Sequence, residues 1–268
     1  MPTAWLANHN ATHNLSWDNV QWSQATSLAL PPQALGAPTE AYGLMPLTIQ
    51  PSTAGSWVGR RAQGSPVNCD DAQLCIHSGG THTECVAHIS DRPRTISEVA
   101  PLQLLRAVLL DLPPRVDVHG GVYVHASDLR HAWAKTLAMT PGLPPPNAVV
   151  IRSRAASETP HQVWSGTNPP YFQPEALTFL VEAGVQHLVT DLPSLDPESD
   201  GGLLLSHHAF FGEAPRVAGR DQTATITELA WIPASLTPGI GLLRLDVLAW
   251  DSDAAPSRPI YYPIIPNG

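Results

Sequence analysis

Positive charge is scarce in this chain. Lysines and arginines number 14 against 23 acidic residues among 268, for a formal net charge of -9. Such a balance argues against nucleic acid and against anionic membrane surfaces as partners. Cysteine is scarcer still. Cys69, Cys75 and Cys85 are an odd number with no repeated spacing, and no Cys-x-x-Cys occurs. A disulfide framework and a thiolate zinc site therefore lack support. The opening Met-Pro-Thr-Ala-Trp-Leu carries no basic region, and no apolar run is long enough to cross a bilayer. Neither a signal peptide nor a transmembrane span is expected, and the expected location is cytoplasmic, where the triplets Asn10-Ala-Thr12 and Asn14-Leu-Ser16 would go unglycosylated. The Gly-x-Ser-x-Gly elbow, the phosphate loop and the dinucleotide fingerprint are missing too. Their absence removes the sequence signals of serine-nucleophile, nucleotide and nicotinamide chemistry.

What is present is a globular composition, 43% hydrophobic and 14% charged, with 28 prolines that imply many stiff loops. One short stretch concentrates the chemistry. Cys75-Ile-His-Ser-Gly-Gly-Thr-His-Thr-Glu-Cys-Val-Ala-His-Ile89 holds His77, His82, Glu84 and His88 within fifteen residues. Gly79-Gly80 permits a sharp turn between the first two histidines. His82, Glu84 and His88 are separated by even numbers, so an extended backbone would put all three on one side. Imidazole with carboxylate suits zinc or manganese, and a free imidazole beside a metal suits proton transfer. Ile76, Val86, Ala87 and Ile89 suggest that the stretch runs through the interior.

Residues 1–25 are polar, with Trp5, Trp17 and Trp22, and read as an arm; residues 26–268 read as one domain. Short strands are expected over 26–30 and 44–49, and Arg60 and Arg61 read as solvated surface charges. Ser97-Glu98 reads as a brief helix start before Pro101. The apolar run 102–112 fits a buried strand or a buried helix equally well. An extended piece is expected over 121–124. Ser127 is the expected N-cap of a helix reaching Leu137, with Asp128 in its first turn. Residues 148–152 form the clearest buried strand. A helix from Pro174 to Glu182, closed by Ala183-Gly184, leads to a strand over 186–190, giving a βαβ unit. Asp191-Leu-Pro-Ser-Leu-Asp-Pro197 follows at the strand's carboxyl end, where open α/β sheets place ligands. Ser206-His207-His208 offers at most one inward histidine, because adjacent residues diverge on any regular element. After a loop from Gly212 to Gln222, strands are expected over 223–232, with Glu228 inside, and over 241–250, with a last edge strand over 260–265. Strand-rich ends around a central βαβ make this an α/β fold, a single domain with a mixed sheet core and flanking helices.

Four separated segments in this order resemble the cyclase-like metal hydrolases, a family that includes bacterial kynurenine formamidases and isatin hydrolases. They are Gly80-Thr-His-Thr-Glu-Cys-Val-Ala-His88, Asp191-Leu-Pro-Ser-Leu-Asp196, His207-His208 and Glu228-Leu229. The resemblance spans about residues 40–265 and implies a swivelling β/β/α domain. It implies His82 and Glu84 as ligands of one divalent ion, zinc or manganese, and His88 as the proton-transfer residue. A second ion would fall to His207 or His208 with Glu228, and the motif carboxylate would bridge the two. The chain departs from the usual His-x-Gly-Thr-His-x-Asp-x-Pro-x-His in three ways. Ser78 stands where the first histidine belongs, so His77 must reach from one residue earlier. Glu84 replaces aspartate and Val86 replaces proline. The implied activity is hydrolysis of an amide, lactam or ester bond in a small molecule by metal-activated water, in a homodimer or homotetramer. The alternative is a non-catalytic protein of the same fold that keeps the metal and binds a small molecule.

Overall fold

The computed structural model describes residues 19–33, 39–91, 94–118, 120–140, 143–153, 160–212 and 223–265. Trp5, Trp17, both Asn triplets of the arm and residues 213–222 of the expected loop lie outside them.

Eight strands form the main sheet: β1 (Thr26–Ser27), β2 (His82–Glu84), β3 (Leu105–Asp111), β4 (Ala148–Arg152), β5 (His187–Thr190), β6 (Thr225–Glu228), β7 (Gly239–Val247) and β8 (Ala254–Pro263). Their spatial order is β1-β8-β7-β3-β4-β5-β6-β2, and β2 pairs with β8 as well as β6. That extra ladder closes the sheet into a barrel. Strands β3 to β6 run parallel to their neighbours within that group, while β2, β7 and β8 pair antiparallel. The domain is therefore mixed α/β, with α1 (Ile96–Val99), α2 (Ala126–Ala138), α3 (Pro174–Glu182) and α4 (Leu205–Phe211) beside the sheet.

The run 102–112 was undecidable from period because both faces of β3 are buried. Val108 and Leu110 join α2, α3 and α4 in the larger core, with Val149, Ile151 and Leu188. Leu105, Ala107 and Leu109 turn the other way, into a second core with Ala148, Val150, Val189 and Tyr261. A strand buried on both sides reads as a continuous apolar run. Its chain neighbours fit the same logic: β4 and α3 have the expected bounds, and Gly184 has φ +86°, the left-handed conformation a helix-ending glycine adopts.

Several elements differ from expectation. The last strand is no edge: it starts at Ala254, and both of its sides are taken, by β7 on one and by β1 and β2 on the other. Its prolines are tolerated because their carbonyls still accept, Pro259 O from Leu28 N at 2.8 Å and Pro263 O from Gln21 N at 2.9 Å. The N-cap position of helix α2 is His125, which makes no side-chain capping bond, and Ser127 lies inside the first turn. Helix α1 begins at Thr95, whose N–H donates to Glu98 Oε2 at 3.1 Å. The strand expected over 44–49 runs from Thr48 to Pro51 and pairs with Asp70–Gln73 in a small outlying sheet. Arg60 is engaged there by Asp70. Among the described residues, no helix is long and apolar enough to cross a membrane.

The turn before β2 is pinned from outside. Thr81 N donates to Leu30 O at 2.9 Å, Leu30 N to Thr81 Oγ1 at 2.7 Å, and that hydroxyl to Leu229 O at 2.6 Å. Gly80 lies so close to this strap that an added Cβ would sit 2.6 Å from Leu30 O and 2.9 Å from Pro32 N. The glycine is needed for close approach. Gly80→Ala should lower stability by about 1–3 kcal/mol, as overpacking typically does. The check is a denaturant titration, with a lower midpoint at unchanged slope; an unchanged midpoint would show that the strap can yield.

Candidate metal centre

Strand period and ladder register assemble the first half of the site. His82 and Glu84 are two residues apart on β2 and share a face. Thr83 turns to the other side, where its hydroxyl meets Thr227 Oγ1 at 2.7 Å and Ser257 Oγ at 2.8 Å. The β6 ladder sets Glu228 opposite His82, so Glu228 joins the same face. His82 Nε2 lies 3.5 Å from Glu228 Oε2. His82 Nδ1 faces Gly80 O at 3.1 Å. A carbonyl only accepts, so Nδ1 carries the proton and the Nε2 lone pair points into the site. Glu228 Oε1 is itself fixed by Leu195 N at 3.1 Å. The next residue, Leu229, has φ +53°, a conformation costly for leucine that turns the chain sharply after its ligand-bearing neighbour.

The turns on either side of β2 supply two more imidazoles. The chain leaves extended conformation after Glu84 and makes a single 3-10 turn over Val86–His88. His88 therefore reaches the site from a turn rather than along a strand, and the even spacing of the sequence is not what aligns it. His77 Nδ1 lies 3.4 Å from Glu84 Oε2, and His88 Nε2 lies 3.8 Å from the same oxygen. On their far sides, His77 Nε2 and His88 Nδ1 are 3.0 and 3.1 Å from one oxygen of Asp253. His77 does reach the cluster, although it stands one residue before the position usual in the motif.

His207 comes from α4. Asp196 accepts from Ser206 N at 2.7 Å and from His207 N at 3.1 Å, which satisfies backbone donors at the start of that helix. The same carboxylate holds His207 Nδ1 at 2.6 Å. This leaves His207 Nε2 facing Glu84 Oε1 at 3.0 Å and Glu228 Oε1 at 3.6 Å. Between the two adjacent histidines the structure selects His207. It is the contacts of His207 to Glu84 and Glu228 that select it, and His208 lies about 100° further round the helix.

Glu84 is at the centre and fully buried. Burial alone would raise its pKa, but His88, His207 and His77 around it hold it well below the ordinary carboxylate range. Burial likewise works against the charge on His207, and is outweighed by Glu84, Asp196 and Glu228, which raise its pKa well above normal. His77 is pushed up to about 10, its burial overcome by hydrogen bonds to Asp253 and Glu84. Asp253 is held well below the carboxylate range by its bonds to His77 and His88.

These residues fit a divalent cation. Both oxygens of Glu84 and the Nε2 atoms of His82 and His207 are buried without a geometrically sound hydrogen bond. Buried lone pairs left unsatisfied are costly unless an unseen partner takes them. Two groups of ligand atoms lie close enough to hold an ion, His77 with Glu84 and His88, and His82 with Glu84 and Glu228. They share Glu84.

Six of the residues singled out by sequence, His77, His82, Glu84, His88, His207 and Glu228, are thus brought together. Asp253, Asp196 as an orienting group, and Tyr42 had no assigned role. Burial and Glu228 raise the Tyr42 pKa, keeping the phenol protonated while it donates to Pro193 O at 3.0 Å. Only Asp196 carried a signal, its place in the loop after β5.

The Cyclase family model matches residues 9–197. Among solved structures the fold is similar to a novel cyclase, at 17% identity and TM-score 0.63, covering 91% of this chain and 90% of that one. It is similar to isatin hydrolase A from Labrenzia aggregata bound to benzyl benzoate, at 13% identity and TM-score 0.59, covering 92% and 95%. It is also similar to a "predicted metal-dependent hydrolase" from Bacillus stearothermophilus, at 13% identity and TM-score 0.58, covering 89% and 98%. No curated protein matches the chain. Identities this low carry the fold alone.

Proposed function

We propose, from the premise that this chain belongs to the cyclase family, that it is a metal-dependent hydrolase acting on an amide, lactam or ester bond of a small molecule. The observation that carries this reading is Glu84, a fully buried carboxylate with both oxygens unsatisfied and three imidazoles around it. The names of the solved relatives, a metal-dependent hydrolase and an isatin hydrolase, point the same way.

His82, Glu84 and Glu228 would hold one cation, and His77 with Glu84 would hold a second, with His207 at the shared carboxylate. Imidazole and carboxylate donors suit zinc or manganese. Such a cation, when bound, acidifies water and polarises a carbonyl. The chain's own groups do the rest. Gly80 O and Asp196 fix the tautomers of His82 and His207, so that Nε2 of each faces the site. His88 is half-exposed at the rim, where its Nε2 can take a proton from water and return it to a leaving group.

Purified protein loaded with Zn²⁺ or Mn²⁺ should hydrolyse at least one member of a panel of N-formyl aromatic amines, cyclic imides and lactones. A fully loaded protein that turns over none of them would favour a small-molecule-binding role. Loading should also depend on pH with a definite sign. His77 and His207 both have raised pKa values, so at pH 7 each carries a proton that a cation must displace. Metal affinity should therefore rise with pH through neutrality, by about tenfold per pH unit for each proton displaced. Titrations at pH 6, 7 and 8 against a chromophoric chelator read this directly.

A further inference from the structure

We propose that Asp253 is a positioning residue that makes His77 a ligand from the wrong register. The inference rests on the metal-centre reading above. In the usual motif the first histidine stands four residues before the second; here that position is Ser78, and His77 is five residues before His82. A histidine displaced by one residue approaches from a different direction and needs something to aim it. Asp253 supplies the aim. Its Oδ2 accepts from His77 Nε2 at 3.0 Å and from His88 Nδ1 at 3.1 Å, while Oδ1 accepts from Ser252 Oγ at 3.0 Å.

Each bond fixes a ring. With Nε2–H of His77 directed at Asp253, Nδ1 is the atom left for a cation once its proton is displaced, and that atom faces Glu84 Oε2 at 3.4 Å. With Nδ1–H of His88 directed at the same oxygen, its Nε2 faces Glu84. The two rings lie 4.4 Å apart, tilted by 31°. A carboxylate on the far nitrogen orients a ligating histidine and raises its basicity.

The backbone explains why this carboxylate is in place. Asp253 immediately precedes β8, whose Ala254 pairs with Glu84. Its carbonyl accepts from Cys85 N at 3.0 Å. The ladder that closes the barrel therefore sets Asp253 beside the β2 carboxylate it serves. Those are main-chain bonds, so a side-chain substitution at 253 leaves them intact.

The test is a double-mutant cycle in zinc affinity on the full chain, measured with Zn²⁺ against a chromophoric chelator. Asp253→Ala should weaken zinc binding about 10–100-fold, the usual effect of removing such a support. His77→Ala should weaken it at least as much. The double variant should bind no more weakly than His77→Ala alone, because Asp253 acts through His77. Asp253→Asn, which keeps an oxygen acceptor, should fall between wild type and Asp253→Ala. Metal-free melting temperatures of the variants separate folding from binding. The proposal is overturned if Asp253→Ala binds zinc as tightly as wild type, or if the two losses multiply, as they would for an independent ligand. A wild-type protein that takes up no zinc overturns the metal-centre reading itself, a failure visible before any variant is made.

Discussion

Glu84→Gln should leave the protein without metal and without hydrolytic activity. The change keeps the shape of the side chain and removes its charge. Every described imidazole of the site other than His82 faces one of the two Glu84 oxygens, at 3.0 to 3.8 Å, and both candidate ion groups contain this residue. An amide can present one oxygen but must turn its NH₂ toward a histidine nitrogen, and it brings no negative charge to a cation. Metal affinity should fall by more than the ~100-fold that loss of a mere supporting contact costs. The metal-free protein should weaken too, because His207 loses a buried partner; breaking such a pair typically costs about 3–5 kcal/mol. Elemental analysis and chelator titration read the first effect, and thermal melting the second. Glu84→Asp keeps the charge but withdraws it by one carbon–carbon bond, about 1.5 Å. It should bind metal more weakly than wild type, since His77 approaches from one residue earlier than the shorter side chain is suited to. A Glu84→Gln protein that still loads with metal would remove this residue from the centre.

His88→Ala should retain metal and lose turnover, by roughly a hundredfold to ten-thousandfold in kcat, the usual contribution of a positioned proton carrier. His88 is the member of the cluster best placed for that work. Its contact to Glu84 is the longest of the three imidazoles', at 3.8 Å, and its side chain is 28% exposed while that of His207 is 2% exposed. A proton carrier needs such a path to water. The paired measurement is metal content and steady-state kinetics on the same preparation. Loss of the ion along with activity would make His88 a ligand, completing the group it forms with His77 and Glu84. Unchanged turnover would remove it from the reaction.

Both predictions concern residues that the sequence had already singled out, and the reason is local. Within 75–89 the turn-forming glycines, the i, i+2 spacing of His82 and Glu84 and the apolar flanks act over a few residues, where backbone geometry leaves little choice. The βαβ segment from Ala148 to Thr190 was equally legible, because Pro174 and Gly184 mark the ends of its helix and its strands are short and apolar. The path to His88 is not legible in the sequence, for a related reason. Even spacing aligns side chains only while the chain stays extended, and a 3-10 turn begins directly after Cys85.

Alone, then, the sequence determined the chemical inventory: imidazoles and carboxylates concentrated in one short stretch, carried on a chain patterned as a mixed α/β domain. Tertiary structure decided which of them meet. Choosing His207 over His208 required the direction in which α4 presents its side chains, set by Asp196 bonding to its first turn. Placing Glu228 opposite His82 required the β2–β6 register. Asp253 became part of the site only because β8, which looked like an edge strand, closes the barrel against β2. The last two are contacts between segments more than a hundred residues apart, and they depend on pairing register, which a one-residue shift would reverse from one face of the sheet to the other. No local pattern in the chain encodes that choice.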